Sequence, residues 1–188
     1  KAAVAGGVTM VQLRNKSGNT REFLEQAKIL KAIIQDCHPE RSAEGAQSKD
    51  LCKYKSAQDP SVTALRACTR DDSFWIPFII NDRVDIALAV DADGIHLGQD
   101  DMPPEQARKL LGPDKIIGMT AFTEKHFAAI DPSIVDYAGT GPFYPTQTDK
   151  GKPLLGPEKF AQLVKLSPVP VVGIGGITPE NAPTVMQA

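Results

Sequence analysis

Short apolar segments alternate with amphipathic segments along most of the chain, and this alternation predicts a parallel α/β fold. Apolar runs that predict strands occupy residues 8–13, 76–80, 94–97, 115–119, 135–139 and 169–174. Apolar positions near helical spacing predict helices over residues 20–35, 84–90, 103–111, 124–130 and 157–166, and a further helix that opens at Thr178-Pro179. Strands that alternate with helices pair in parallel, which leaves two architectures open, a doubly wound sheet and a closed (β/α)8 barrel.

The sequence of the first of these helices predicts where it starts and which face is apolar. Thr20 is the predicted N-cap, with Glu22 in the first turn. The expected apolar face consists of Phe23, Leu24, Ala27, Ile29, Leu30 and Ile33.

One segment, residues 38–73, departs from the alternation. It is polar and irregular, whereas a connection between a helix and a strand usually has about 2–6 residues. We predict a largely flexible insertion, with a short helix near residues 62–68, in a single domain that spans residues 1–188. A lid or partner loop and a tolerated surface insertion are both open, and the second is favoured because long loops cost little closure entropy.

Composition excludes several classes of function. The 21 basic and 23 acidic side chains give a net charge of −2, so no electrostatic signal for a nucleic-acid partner is present. No apolar run approaches the roughly 20 residues that cross a bilayer, and the N-terminal residues do not resemble a signal peptide. The three cysteines form no C-x-x-C pair and predict free thiols. We expect a cytoplasmic protein without membrane contact, and the oligomeric state is open, a homo-oligomer included.

Polar side chains cluster where the first predicted strand ends. Gln12, Arg14 and Lys16 are two residues apart, and residues at this spacing share one face of a strand. Arginine binds phosphate in a bidentate manner and lysine acts as a point charge. The three residues indicate either a site for a phosphorylated ligand or a solvated basic strand end.

Two aspartates occupy equivalent positions after neighbouring strands. Asp82 follows the predicted second strand and Asp101 follows the third. Mg²⁺ prefers hard oxygen ligands and is usually held by one or two carboxylates together with substrate phosphates. The pair therefore predicts a magnesium site, although both residues also precede helices and could serve as N-caps.

Glycine-rich turns follow the fifth and sixth predicted strands, at residues 139–146 and 173–177. Glycine lets backbone N–H groups approach an anion, but tight turns between a strand and a helix use glycine as well. Taken with the polar ends of the first three strands, these turns favour one ligand site at the carboxyl ends of the strands.

Five segments, in order and spacing, resemble the thiamine-phosphate synthase family over nearly the whole chain outside the insertion. Their sequences are VQLRNK (11–16), INDRVDIA (80–87), DGIHLGQDDM (93–102), GPFYPT (141–146) and GIGGI (173–177). The resemblance implies a TIM (β/α)8 barrel, here without its first and last strands. It also implies a Mg²⁺-dependent transferase of thiamine biosynthesis, which joins hydroxymethylpyrimidine diphosphate to hydroxyethylthiazole phosphate by a dissociative displacement of diphosphate.

The resemblance also implies roles for individual residues. Asp82 and Asp101 would bind Mg²⁺, and Gln12 would contact the pyrimidine. Diphosphate would be held by Arg14, Lys16, Asn81 and Thr120. The thiazole side would be lined by Thr146 and Gly176, with further substrate contacts from Thr148 and Gly175. The family's lysine in this loop is replaced by Asp149, and Lys150 follows one place later as the candidate to assist the leaving group.

The synthase has three alternatives. A thiazole tautomerase of the same fold would carry a histidine near position 122, which is Phe122 here, and would lack the Asn81-Asp82 pair. A barrel that binds ligand without turnover is the non-enzyme alternative. An epimerase or isomerase would need an acid–base pair, and His96, which lies within a strand, is expected in the core.

Overall fold

The computed structural model describes residues 3, 7–36, 76–146 and 154–188, and the predicted insertion with its short helix lies outside them. Strands and helices alternate through the described chain. They are β1 (Val11–Leu13), α1 (Thr20–Asp36), β2 (Phe78–Asn81), α2 (Val84–Ala89), β3 (Gly94–Leu97), α3 (Pro104–Leu111), β4 (Ile116–Thr120), α4 (Glu124–Ala128), β5 (Tyr137–Thr140), α5 (Gly156–Leu166), β6 (Val171–Gly173) and α6 (Ala182–Gln187). The predicted order of elements is confirmed.

The chain forms two compact units, Lys1–Ile117 and Gly118–Ala188. In the first unit β1, β2 and β3 pair in parallel in sequence order, with Leu13 opposite Ile80 and Asn81 opposite His96. All residues of β2 and β3 are buried, as expected for parallel strands covered on both faces. This register aligns the carboxyl ends of the three strands, where the candidate site residues follow.

Helix α1 covers this sheet with one narrow stripe. Its buried residues Phe23, Ala27 and Ile34 recur at helical spacing and join the core around β2. Ile29 was expected on this face, but it is 60% exposed. It lies two residues beyond Ala27 and therefore on the other side of the helix.

The cap of α1 also differs from the prediction. The Asn19 side chain accepts a hydrogen bond from the Glu22 N–H at 3.2 Å, so Asn19 rather than Thr20 caps the helix. At the far end, Lys31 donates to the backbone oxygens of Val90 and Asp91, both at 2.8 Å. These bonds tie α1 to the end of α2, where carbonyl groups are left without helical partners.

In the second unit, residues 118–120 of β4 pair in parallel with β5, and β5 pairs in parallel with β6. Strand β5 is buried throughout, and its core includes Phe127 from α4 and Leu163 from α5. The helix predicted to open at Thr178 begins at Ala182 instead. The Thr178 N–H donates to the Asn181 side chain at 2.7 Å, so residues 178–181 form a turn before the helix.

Among the described helices, none is both long and apolar enough to cross a membrane.

Candidate active site

The end of β1 presents the polar residues that were predicted to share a face. Gln12 and Arg14 are exposed and alternate with the half-buried Val11 and Leu13, which is the alternation of a strand. Lys16 is exposed in the loop that follows. The charge of Arg14 lowers the pKa of two groups at the neighbouring strand ends, Asp82 and His96.

Asp82 and Asp101, the predicted metal ligands, form a side-chain hydrogen bond with each other. Burial, this hydrogen bond and the charge of Asp101 raise the pKa of Asp82 to about 6, against the opposing effects of Arg14 and Asn81. Burial favours the neutral carboxyl, and the neighbouring carboxyl group adds to that effect. Asp82 therefore keeps its proton to a higher pH than an isolated aspartate would, and shares it with Asp101 in the hydrogen bond.

The backbone around both aspartates is fixed. Asp82 has a left-handed backbone, with φ of 65°, and its N–H donates to the His96 carbonyl at 2.8 Å. Asp101 accepts a hydrogen bond from the Gly98 N–H at 2.6 Å. A Cβ added at Gly98 would lie 2.8 Å from the same carboxylate oxygen, so only glycine lets the Asp101 carboxylate approach the backbone this closely.

This pair of carboxylates fits a hard divalent cation. A cation that replaces the shared proton would satisfy both oxygens and remove their repulsion. In the part of the chain that the structure describes, no cluster of three or more His, Cys, Asp or Glu side chains is arranged to hold a metal. Two protein carboxylates, with the remaining positions left to phosphate and water, is the arrangement that Mg²⁺ commonly uses.

His96 lies beside this pair and stays neutral. It is 3% exposed, and burial together with the Arg14 charge lowers its pKa to about 4, although Asp101 acts in the opposite direction. A neutral imidazole adds no charge to the site. The expectation that His96 belongs to the core is confirmed.

A cavity of about 400 Å³ adjoins Asp82 in the first unit. Its walls come from the loop after β1, the start of α1 and the end of β2, and the residues are Asn15, Lys16, Gly18, Asn19, Phe23, Asn81, Asp82 and Arg83. Two of these residues are cations and three are amides, all of which can donate hydrogen bonds to an anion. Lys16, Asn81 and Asp82 were identified from the sequence, whereas Arg83 was not.

In the second unit, the loop after β5 lies directly against the loop after β6. The Phe143 N–H donates to the Ile174 carbonyl at 2.9 Å, and the Tyr144 N–H donates to the Gly175 carbonyl at 3.0 Å. These bonds continue the pairing of β5 with β6 beyond the strand ends. The two glycine-rich turns are therefore joined to each other.

Gly175 and Gly176 are required by this contact. Both have positive φ, 98° and 63°. A Cβ would lie 2.6 Å from Pro142 at the first position and 2.5 Å from the Pro145 carbonyl at the second. The close approach of the loops accounts for both glycines, and their predicted contact with substrate stays a prediction.

The remaining predicted residues are placed as follows. Thr120 is the last residue of β4 and is half-buried, opposite Gly139 of β5. Thr146 is half-buried at the end of the loop after β5. Thr148 and Lys150 lie outside the described residues, as does Asp149.

Two features of the site went unrecognised in the sequence. Asn19 followed by Glu22 three residues later is the spacing of a capping box, so that signal was available. The orientation of Arg83 carries no such signal, because it depends on contacts between loops that are distant in the chain.

Known proteins match this chain over most of its length. The family model for thiamine monophosphate synthase matches residues 52–188. Thiamine-phosphate synthase of Vibrio parahaemolyticus is 40% identical over 188 residues, which covers 98% of this chain and 73% of that protein. The chain belongs to the thiamine monophosphate synthase family. Relatives named synthases place it in a family of transferases of thiamine biosynthesis.

A longer protein also matches this chain. The chloroplastic thiamine biosynthetic bifunctional enzyme TH1 of Arabidopsis thaliana is 40% identical across 100% of this chain, which spans only 29% of that enzyme. A solved structure, thiamine phosphate pyrophosphorylase from Pyrococcus furiosus, matches with a TM-score of 0.65 and 32% identity over 98% of this chain and 71% of its own. It has a TIM-barrel-like fold, which confirms the predicted fold class.

Proposed function

We propose that the protein is a thiamine-phosphate synthase, which couples hydroxymethylpyrimidine diphosphate with hydroxyethylthiazole phosphate and releases diphosphate. The observation that carries this proposal is the Asp82–Asp101 carboxyl pair beside Arg14, next to a cavity lined by Lys16. A carboxylate pair for a divalent cation, flanked by cations, suits a ligand with several phosphate charges.

The proposed reaction breaks the bond between the pyrimidine methylene carbon and the diphosphate oxygen. The electron pair leaves with diphosphate, and the thiazole nitrogen then donates its lone pair to the resulting carbocation. Negative charge builds up on the leaving group, so preorganised positive charge contributes more than a general base would. Arg14 and Lys16 would supply that charge, and the amide of Asn81 would donate a hydrogen bond.

Mg²⁺ bound by Asp82 and Asp101 would neutralise part of the diphosphate charge. Gln12, exposed on the same face of β1 as Arg14, would orient the pyrimidine. In the second unit Thr120, Thr146, Thr148, Gly175 and Gly176 are the proposed substrate contacts, and Lys150 is the proposed aid to the leaving group.

The test is a coupling assay with both substrates and Mg²⁺ that follows diphosphate release by wild type, Asp82→Asn and Asp91→Asn. Asparagine tolerates the left-handed backbone at both positions, since Asp82 has φ of 65° and Asp91 has φ of 48°. Asp91 pairs with Lys31 and Lys115 at the surface, so its substitution is a matched control outside the site. We expect turnover to fall at least a hundredfold in Asp82→Asn and to persist in Asp91→Asn.

Absence of turnover in folded wild-type protein would contradict the proposal. Tight binding of both substrates without turnover would then favour a ligand-binding barrel. Conversion of the thiazole substrate between tautomers, without coupling, would favour a tautomerase.

A further inference from the structure

Arg83 follows Asp82 directly and lines the same cavity as Lys16. Its guanidinium donates to both carboxylate oxygens of Asp85, from Nε at 2.8 Å and from Nη2 at 2.5 Å. This bidentate pair fixes the plane of the guanidinium, because the fork geometry of arginine matches a carboxylate.

The same Nη2 reaches the start of α1, where it donates to the Thr20 hydroxyl at 3.1 Å. This bond spans 63 residues of sequence, between the loop after β2 and the helix that follows β1. The Thr20 hydroxyl can accept it because Asn19 provides the cap of α1.

The loop that carries Lys16 is tied to the same helix. The Asn15 side-chain amide donates to Gln26 at 2.8 Å, and the Ser17 N–H donates to the Asn15 side chain at 2.7 Å. The Asn15–Gln26 bond therefore joins the loop after β1 to α1. Arg83 connects α1 to the strand end that carries Asp82.

We propose that Arg83 is a positioning residue for diphosphate: through Thr20 it holds the Lys16 loop at a fixed distance from Asn81 and Asp82. This inference rests on the proposed function. Arg83 acts by holding the loop in position, so losing the Thr20 hydroxyl weakens diphosphate binding as much as losing the guanidinium does. A charge that attracted diphosphate from a distance would not need Thr20.

The test compares Thr20→Val, Thr20→Ser, Arg83→Lys and Arg83→Gln in the complete protein. Valine removes the acceptor and keeps both the shape and the net charge, whereas serine keeps the hydroxyl. Ser133→Ala removes a hydroxyl from an exposed turn, where it bonds Asp131 at 2.6 Å, and serves as the control for general loss of stability. Binding of inorganic diphosphate with Mg²⁺ is measured by calorimetry, and the KM of each substrate and kcat are measured separately.

We expect Thr20→Val, Arg83→Lys and Arg83→Gln each to weaken diphosphate binding by about 3–10-fold, which corresponds to the net contribution of one ordinary hydrogen bond. The KM of the pyrimidine diphosphate should rise by a similar factor, while the KM of the thiazole phosphate stays within twofold. Thr20→Ser should bind diphosphate as wild type does. A structural defect would instead change both KM values and the melting temperature together.

Wild-type diphosphate affinity in Thr20→Val, with a loss in Arg83→Gln, would overturn the inference and make Arg83 a simple charge. Failure of wild type to bind diphosphate would overturn it as well. Wild-type protein that binds diphosphate but does not couple the substrates would contradict the proposed function alone, because the calorimetric comparison of the variants does not need turnover.

Discussion

Metal binding should depend steeply on pH between 5 and 7, and replacement of Asp82 by asparagine should abolish this dependence. The reason is competition between a proton and the cation for one carboxylate. Asp82 has a pKa of about 6, and its proton must leave before the carboxylate can bind a cation. Because the pKa is raised, acidification through this range returns the proton and weakens metal binding.

The size of the effect follows from that pKa. At pH 7 roughly 90% of Asp82 is ionised, and at pH 5 roughly 10% is ionised. The apparent affinity for a divalent cation should therefore fall about tenfold, which corresponds to about 1.4 kcal/mol. Asp101→Asn removes two of the causes that raise the pKa, so the midpoint in that variant should move to lower pH.

The assay is a titration with Mn²⁺ in which free ion is followed by electron paramagnetic resonance, with Mg²⁺ added as competitor. Wild type, Asp82→Asn, Asp101→Asn and the surface control Asp91→Asn are titrated at pH 5, 6 and 7. A wild-type Mn²⁺ affinity that does not change between pH 5 and 7 would refute competition between the proton and the cation for Asp82. Wild-type affinity in Asp82→Asn would show that the cation binds elsewhere.

Three further predictions concern stability, measured by urea denaturation. Thr140→Val should raise the free energy of unfolding by about 1 kcal/mol, because among the described residues its buried hydroxyl has no hydrogen-bond partner. Thr123→Val removes the cap of α4 and should lower the free energy of unfolding by about 1 kcal/mol. A change of the same sign in both variants would contradict this contrast. Gly156→Ala should cost about 1–2 kcal/mol through its left-handed backbone alone. In Gly175→Ala the new Cβ would also collide with Pro142, so this variant should lose at least about 2 kcal/mol more unfolding free energy than Gly156→Ala. Similar losses in the two variants would disprove the close contact. The fold holds His96 neutral, so wild type should lose roughly 3 kcal/mol of unfolding free energy as the pH falls from 6.5 toward 4, and His96→Gln should not show this loss. The same dependence of unfolding free energy on pH in both proteins would argue against the burial of His96.

The positions of Arg14, Asp82 and Asp101 could be predicted because they depend on local pattern and one general rule. Apolar runs mark the strands, and parallel pairing in sequence order brings their carboxyl ends together. The register that aligns Leu13 with Ile80 was not predicted and comes from the structure.

Other features could not be predicted because tertiary contacts decide them. The raised pKa of Asp82 requires the distance to Asp101, and the Arg83–Thr20 bond requires the orientation of two loops. Ile29 was predicted on the buried face because it is apolar, but its angular position places it on the exposed side of the helix. The late start of α6 reflects competition between a helix and the side-chain bond of Asn181, which propensity alone does not rank.

The contact between the loops after β5 and β6 has a consequence for how this protein can evolve. Each loop supplies the surface against which the glycines of the other are fitted, with Gly141 set against the Ile174 carbonyl and Gly175 against Pro142. An inserted residue or a new Cβ in either loop would demand a compensating change in its neighbour. We expect substitutions here to accumulate in pairs, and new substrate preferences to arise through side chains that the loops carry rather than through their backbone path.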